Sequence, residues 1–182
     1  VISTGLNRKD LESKAREMSS GTGGFLFYGE TTLPVLQDLN ATKVQVDLGM
    51  DTSLHFVQLR KTEGDDASCL NLNRVTLPRI LGVQPGDLKG RFSMVKALPM
   101  VDPERPWLAL EEELPGGLVP AIADQTVILW GLGKQVGDTL AYVDGQGRTM
   151  TLKLIAGLAN SIFQGNVLIG EEQFIQHFPA SS

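Results

Sequence analysis

The clearest alternation of apolar and polar positions lies in the last third of the chain. Two segments, VGDTLAYV (136–143) and RTMTLKLIAGL (148–158), alternate as strands with one buried face do. The residues DGQG (144–147) between them favour a tight turn, so the sequence predicts a β-hairpin. Leu140 and Tyr142 are expected to share one face of the first strand, and Met150, Leu152 and Leu154 one face of the second.

The segments that flank this hairpin also carry recognisable patterns. GNVLI (165–169) predicts another strand. EEQFIQHF (171–178) predicts a helix, because acidic residues occupy its first turn and Phe174 and Phe178 are spaced i, i+4. DQTVILWGLG (124–133) is compatible with a strand or a short helix.

The first half of the chain predicts shorter elements. NRKDLESKAREM (7–18) favours a helix that SSGTGG (19–24) ends. The further expectations are a strand in FLFYGE (25–30), a short helix in TLPVLQDLN (32–40), a strand in SLHFVQLR (53–60), and a short helix or turn in LPRILGV (77–83).

Proline is concentrated between residues 98 and 120, where five prolines accompany the acidic triplet 111–113 and Trp107. Proline at this density disfavours long helices and central strands, so we expect a connection over the surface. Trp107 is interpreted as a core residue rather than an exposed contact. Strands and helices mix without a βαβ rhythm, which predicts an α+β fold with mixed or antiparallel strands, and a single domain (1–182) in two lobes joined through this stretch.

Composition narrows the function classes. The chain has 182 residues and a formal net charge of −5, without a basic cluster, so nucleic acid is not expected as a partner. One cysteine excludes an internal disulfide and a multi-thiolate zinc site. His55 and His177 do not have metal-ligand spacing. The sequence lacks an apolar run of about 20 residues, the length that spans a bilayer. It begins at Val1, which indicates an excised piece of a larger protein.

The stretch GDDASCLNLNR (64–74) is the strongest candidate for chemistry. Cys69 could act as a nucleophile if His55 lay within reach as its base. A lone cysteine without a paired motif more often packs as a small apolar residue. On that interpretation, Cys69→Ser would change stability by about 1 kcal/mol and leave function intact.

The carboxylates of the same stretch have two interpretations. Asp65 and Asp66 could bind calcium together with the amide oxygens of Asn71 and Asn73, but the spacing of a calcium-binding loop is missing. Asp and Asn are also common in turns, and Arg74 could pair with one carboxylate. The structural interpretation is therefore preferred.

Other motifs are incomplete. GTGG (21–24) lacks the Gly-Lys-Ser/Thr ending of a phosphate loop, and WGLGKQVG (130–137) lacks the third glycine of a dinucleotide site. Ser161 lacks the glycines of a nucleophile elbow. His177 is expected to interact with the C-terminal dipole of the last helix. The sequence thus predicts neither catalytic residues nor cofactor-binding or metal-binding residues, and it leaves partner-binding residues open.

Three segments carry a resemblance to a known family: GETTLPVLQDLN, GDDASCLNLNRVTLPRILGV and the long stretch from DQTVILWGLG to FIQHFP. They resemble the extracytoplasmic, MacB-like periplasmic domain of FtsX-like ABC transporter permeases, closest to the large permeases of Bacteroides-type bacteria. The resemblance covers residues 124–179, with 64–83 and 29–40 in support. Family members continue past the final FP into a further strand, so a native element is expected to be missing after Ser182.

The resemblance implies a non-catalytic α+β domain on the periplasmic side of the bacterial inner membrane, as part of an integral membrane protein. It implies that a separate cytoplasmic subunit or domain hydrolyses ATP, and that the domain relays the resulting motion in export or an envelope function. Its implied partners are that ATPase, a second permease copy or pseudo-symmetric domain, and a periplasmic substrate or protein. Two alternatives remain open: a secreted hydrolase using Asp65, Asp66 or Cys69, and a freestanding ligand-binding module.

Overall fold

The computed structural model describes residues 16–31, 34–62 and 78–181. Most of the helix predicted at 7–18 lies outside these ranges, as does the whole of GDDASCLNLNR (64–74). The described chain combines one mixed sheet with short helices, which confirms the α+β prediction.

The described part of the chain contains seven strands: β1 Arg60–Lys61, β2 Arg79–Val83, β3 Met94–Ala97, β4 Val119–Asp124, β5 Thr139–Val143, β6 Thr149–Leu158 and β7 Asn166–Gly170. Its α-helices are α1 Thr42–Asp47 and α2 Glu171–His177. Short 3₁₀ helices occupy Pro85–Leu88, Pro106–Glu111 and Pro115–Gly117, and a π-helical turn occupies Val127–Gly131.

The strands form one sheet in the order β1-β2-β7-β4-β6-β3, and β5 also pairs with β6. The pairs β2–β7 and β4–β6 are parallel, whereas the others are antiparallel. At ten residues, β6 is long enough to pair with β5 along its first half and with β3 along its second half. The opposite edge of β6 pairs with β4, so β6 contacts three other strands of the sheet.

Both faces of the sheet are covered, so its central strands are buried on both sides. Ala121 and Ala123 of β4 face a first core cluster, whereas Ile122 between them faces a second. In β6, Leu154 faces the first cluster, and a register shift against β4 places both Ile155 and Ala156 in the second. Because both faces of such a strand are buried, its sequence is a nearly continuous run of apolar residues.

The C-terminal third folds as its pattern predicts. The hairpin of β5 and β6, the strand β7 and the helix α2 are all present, and the five predicted hairpin residues are buried. Phe174 and Phe178 pack into the first cluster with a ring-centroid distance of 5.2 Å. The segment 124–133 continues from the end of β4 into the π-helical turn, so its short-helix alternative is confirmed.

Part of the proline-rich stretch lies in the core, so the prediction of a surface connection is wrong for Pro106–Glu111. Trp107 is 1% exposed in the second cluster, which confirms its assignment as a core residue. Its indole Nε1 donates a hydrogen bond to the backbone oxygen of Arg91 at 3.0 Å, which satisfies the buried N–H.

Four predictions in the first half are wrong. Residues 25–30 are not a strand, and residues 34–40 are not helical. In the segment 53–60, Arg60 alone lies in a strand. The segment predicted as a helix or turn at 77–83 contains β2, whose residues 80–83 are buried on both faces and therefore lack a period-2 pattern.

Candidate functional site

Of the residues that the sequence singled out for the nucleophile and calcium hypotheses, His55 alone lies within the described ranges. Asp65, Asp66, Cys69, Asn71, Asn73 and Arg74 lie outside the described residues. His55 is exposed. The nucleophile and calcium hypotheses therefore remain predictions.

The turn of the β5–β6 hairpin is organised by Asp144, whose side chain is 1% exposed. Its carboxylate accepts hydrogen bonds from the amides of Gln146 (2.9 Å) and Arg148 (2.8 Å), and Arg148 Nε donates to Oδ2 at 2.8 Å. Burial by itself would raise the pKa of Asp144, but the Arg148 amide and side chain and the Gln146 amide outweigh it and lower this pKa to about 2. Asp144 is therefore a structural carboxylate that remains ionised.

The same turn contacts the end of α2. The amide of Gly145 donates to the backbone oxygen of His177 at 2.9 Å. His177 Nδ1 lies 3.6 Å from Asp144 Oδ2, beyond hydrogen-bond distance, and it is the last residue of α2, as a dipole partner should be. The hairpin and the C-terminal helix are thus joined at one point.

A second buried carboxylate, Asp124, ends β4 and holds the π-helical turn that follows. Its Oδ1 accepts bonds from the amide (3.0 Å) and hydroxyl (2.5 Å) of Thr126. Its Oδ2 accepts a bond from the amide of Ser161 at 2.6 Å. Ser161 Oγ in turn accepts from the amide of Phe163 at 3.2 Å, so Ser161 has a turn-forming role here.

The π-helical turn presents a large apolar side chain to solvent. Val127 and Ile128 are buried, whereas the next two residues, Leu129 and Trp130, are 41% and 83% exposed. We call these two exposed residues the Trp130 knuckle. Tryptophan is enriched among the residues that dominate binding energy at protein interfaces, and π-helical turns are frequent at functional sites.

A second unusual region comprises residues 34–58, which we call the amide-linked lobe. Two of its stretches, near 37–40 and 56–58, lie side by side without a backbone ladder. Asn40 replaces the ladder with its side-chain amide: Nδ2 donates to Phe56 O (2.9 Å) and Oδ1 accepts from Phe56 N (2.8 Å). The side-chain amide of Gln58 bonds the opposite stretch in the same way: its Oε1 accepts a hydrogen bond from Leu39 N at 2.9 Å, and its Nε2 donates one to Gln37 O at 3.0 Å.

The lobe is closed further by Gln45, which is 2% exposed and donates from Nε2 to Leu54 O at 2.9 Å. Large apolar side chains point outward from the lobe and from the segment that leads into it. They include Leu26, Phe27, Tyr28, Val35, Leu36, Val46, Leu48 and Leu54, of which Phe27 is 89% and Leu36 83% exposed.

Charged side chains surround the point where the lobe meets the sheet. Glu30 Oε2 lies 3.0 Å from Arg79 Nη1 and 3.3 Å from Lys61 Nζ, and the hydrogen bonds from Arg79 and then Lys61 lower the pKa of Glu30. A neighbouring pair joins Arg60 to Glu171 at 2.8 Å. These ion pairs are partly exposed, so each contributes only modestly to stability.

Sequence reasoning did not single out the Trp130 knuckle or the three lobe amides. Trp130 stands in the apolar run VILW, which was compatible with a strand or a short helix and did not distinguish an exposed tryptophan from a buried one. Asn40, Gln45 and Gln58 are isolated amides, and their pairing across 9 to 21 residues leaves no local pattern. A lone tryptophan next to Gly131 was the one available signal of an exposed turn.

Within 16–31, 34–62 and 78–181, the structure contains no group of three or more His, Cys, Asp or Glu side chains placed to hold a metal ion. None of the helices in those ranges has the length and apolar character needed to cross a bilayer. Comparison of the chain with protein-family models and with curated proteins found no match.

Proposed function

We propose that this chain is the extracytoplasmic domain of an FtsX-like, MacB-like ABC transporter permease, and that it relays ATP-driven motion to a partner in the periplasm. A separate cytoplasmic subunit or domain hydrolyses the ATP, and this domain acts without catalysis of its own. The observation that carries the proposal is the Trp130 knuckle, an almost fully exposed tryptophan on a firmly packed body. Tryptophan is enriched among the interface residues that dominate binding energy, so an exposed tryptophan suits a domain that contacts a partner.

The attachment of the π-helical turn to the core and to β4 supports this role. Val127 and Ile128 anchor its base in the core, and Asp124 ties the turn to the end of β4 through two hydrogen bonds from Thr126. A third hydrogen bond, from the amide of Ser161, joins Asp124 to the segment that follows β6. Strand β4 then pairs with β6 on one side and β7 on the other. A force applied at Trp130 would therefore pass into the centre of the sheet rather than into a flexible loop.

The segment that carries the family resemblance also supports the proposal. Residues 124–179 supply the hairpin, β7 and α2, all of which contribute buried side chains to the first core cluster. Their characteristic residues serve this architecture: Asp144 organises the hairpin turn, and Phe174 and Phe178 attach α2 to the sheet. A stiff body of this kind is what a domain that transmits motion requires.

The test uses the full-length gene product that contains this chain. Cys69→Ser combined with Gln146→Cys places one cysteine in the exposed hairpin turn. We expect this protein in the membrane fraction, together with its ATPase. We also expect a membrane-impermeant maleimide to label Cys at position 146 in intact cells whose outer membrane has been permeabilised. Leu154→Cys in the same background is the matched control, because Leu154 is buried and its label should appear only after denaturation.

Recovery in the soluble fraction, or labelling only after the inner membrane is broken, would contradict the proposal. Turnover of a substrate by the purified chain would favour the secreted hydrolase that uses Asp65, Asp66 or Cys69. Binding of a small molecule by a protein without membrane association would favour the ligand-binding module.

A further inference from the structure

Two buried polar atoms on neighbouring strands have no hydrogen-bond partner within the described part of the chain. One is Nε of Arg79 in β2, which can only donate a hydrogen bond, and the other is Oδ1 of Asn166 in β7, which can only accept one. Buried polar groups of native proteins are nearly always paired, either with the protein or with ordered water. Each atom therefore needs a partner that the described residues do not supply.

The sheet places the two side chains next to each other. β2 and β7 are parallel neighbours, and Arg79 is the register partner of Asn166. Two residues further on, Leu81 and Leu168 are partners in the same way, and both pack in the second core cluster. Because side chains two residues apart on a strand point to the same face, Arg79 and Asn166 also point to that face, from strands about 4.8 Å apart.

The other bonds of Asn166 fix the orientation of its side-chain amide. Nδ2 donates to the backbone oxygens of Phe163 (3.4 Å) and Gln164 (3.2 Å). Two carbonyl oxygens require a donor, so the opposite end of the amide must be the acceptor Oδ1. Since Asn166 is only 3% exposed, bulk solvent does not satisfy this oxygen.

The segment 16–31 covers this corner of the sheet. Glu30 Oε2 accepts a hydrogen bond from Arg79 Nη1 at 3.0 Å, and the planar guanidinium then restricts the direction in which Nε–H can point. The ring of Tyr28 packs edge-on against Phe163 at a centroid distance of 6.4 Å. Phe163 is also the residue whose backbone oxygen Asn166 binds, so the two contacts enclose one polar corner.

We infer that Arg79 and Asn166 hold one internal water molecule, which accepts a hydrogen bond from Arg79 Nε and donates one to Asn166 Oδ1. Water is the smallest species that accepts at one atom and donates at the other, and internal waters of proteins bond otherwise unpaired groups in this way. An anion would suit Arg79 but not the Asn166 oxygen, and for a cation the reverse holds. The bridge links β7 through Arg79 to Glu30, and so attaches the segment 16–31 to the sheet independently of the function proposed above.

A crystal structure of the purified chain, at a resolution that shows ordered water, tests the site directly. We expect a water oxygen within about 3.2 Å of both Arg79 Nε and Asn166 Oδ1. Three outcomes would each overturn the inference: a direct bond between the two atoms, a partner from residues 63–77 at either atom, or two unpaired atoms without a water.

Nuclear Overhauser and rotating-frame contacts between water and the Asn166 side-chain amide protons test the site in solution. Arg79→Lys keeps the positive charge beside Glu30 but replaces Nε–H by a methylene group, so the contact with a long-lived water should be lost. Arg60→Lys is the matched control and should retain it, because Arg60 Nε donates directly to Glu171 at 2.8 Å. Absence of the contact in wild type, its persistence in Arg79→Lys, or its loss in Arg60→Lys would overturn the inference.

Discussion

Gly82 of β2 lies directly beneath the ring of Phe174 of α2: a Cβ atom at position 82 would be 2.6 Å from Phe174 Cγ. This separation is far shorter than van der Waals contact, so the helix reaches the sheet only because residue 82 has no side chain. Phe174 is fully buried at this contact. The pair thus sets the spacing between α2 and the sheet in the segment that carries the family resemblance.

The first prediction concerns this contact. Gly82→Ala should lower the free energy of unfolding by about 1–3 kcal/mol, the range for overpacking a well-filled core, because Phe174 must move to accommodate the methyl group. Urea denaturation of the purified domain measures the change. Gly86→Ala is the matched control, since a Cβ there meets nothing within 4 Å. Equal stability of the two variants would show that α2 is not packed against Gly82 as described.

The second prediction concerns acid stability. The pKa of Asp144 is about 2 in the folded protein, below its ordinary value of 3.8, because hydrogen bonds from Arg148 and Gln146 outweigh the effect of burial. A group whose pKa is lowered by folding stabilises the protein above its unfolded pKa. That stabilisation should be complete above about pH 4 and should be lost progressively as the pH falls to about 2.

Asp144→Asn tests this linkage. The variant should unfold more readily at neutral pH, and its stability should fall less steeply than that of the wild-type protein below about pH 4. Thermal unfolding followed at a series of pH values provides the measurement. Asp87→Asn, an exposed carboxylate in the turn Pro85–Leu88, serves as the control. Parallel pH profiles for Asp144→Asn and wild type would refute the assigned role of Asp144.

The third prediction separates the two tryptophans. Trp107 is buried and Trp130 is 83% exposed, so Trp107→Ala should cost about 3–5 kcal/mol of stability. Trp130→Ala should stay within about 0.5 kcal/mol of wild type, as substitutions at exposed positions usually do. Chemical denaturation of both variants measures this difference. A strongly destabilised Trp130→Ala protein would mean that the knuckle has a packing role.

The same substitution tests the role of the knuckle in the full-length protein. If the chain belongs to a permease as proposed, Trp130→Ala should abolish the transport or envelope phenotype of the gene while membrane level and ATPase binding remain normal. Trp130→Phe should retain part of the function, because an aromatic ring still fills the contact. Wild-type function of the alanine variant would remove the knuckle as the contact site.

The C-terminal third of the fold could be predicted because local pattern and tertiary structure agree there. β5 has strict alternation of exposed and buried residues, and the turn at Asp144–Gly147 has the residue types that tight turns require. In α2, the spacing of Phe174 and Phe178 matches the helical face that packs on the sheet. The periodicity of apolar residues was therefore sufficient to predict the hairpin and α2.

The structure of the first half could not be predicted because side-chain hydrogen bonds between residues far apart in sequence determine it, and such bonds leave no periodic pattern in the sequence. The segments at 34–40 and 53–59 contain apolar residues at helical or strand spacing, but Asn40 and Gln58 hold them together by bonds across 16 to 21 residues. In β2, residues on both faces of the strand are buried, so its sequence does not alternate between apolar and polar residues. Trp130 lies in a π-helical turn that buries Val127 and Ile128 and exposes the two residues after them, which composition alone does not reveal.

The central proposal is that this chain moves in response to ATP hydrolysed by a separate subunit or domain. Its most direct test is the fluorescence energy transfer between dyes on Gln146→Cys, in a Cys69→Ser background, in the two permease copies of a reconstituted transporter. The account predicts a change in transfer efficiency on addition of ATP, and no change when the ATPase carries a substitution of its catalytic carboxylate. Unchanged transfer in a transporter that hydrolyses ATP at its normal rate would contradict the account.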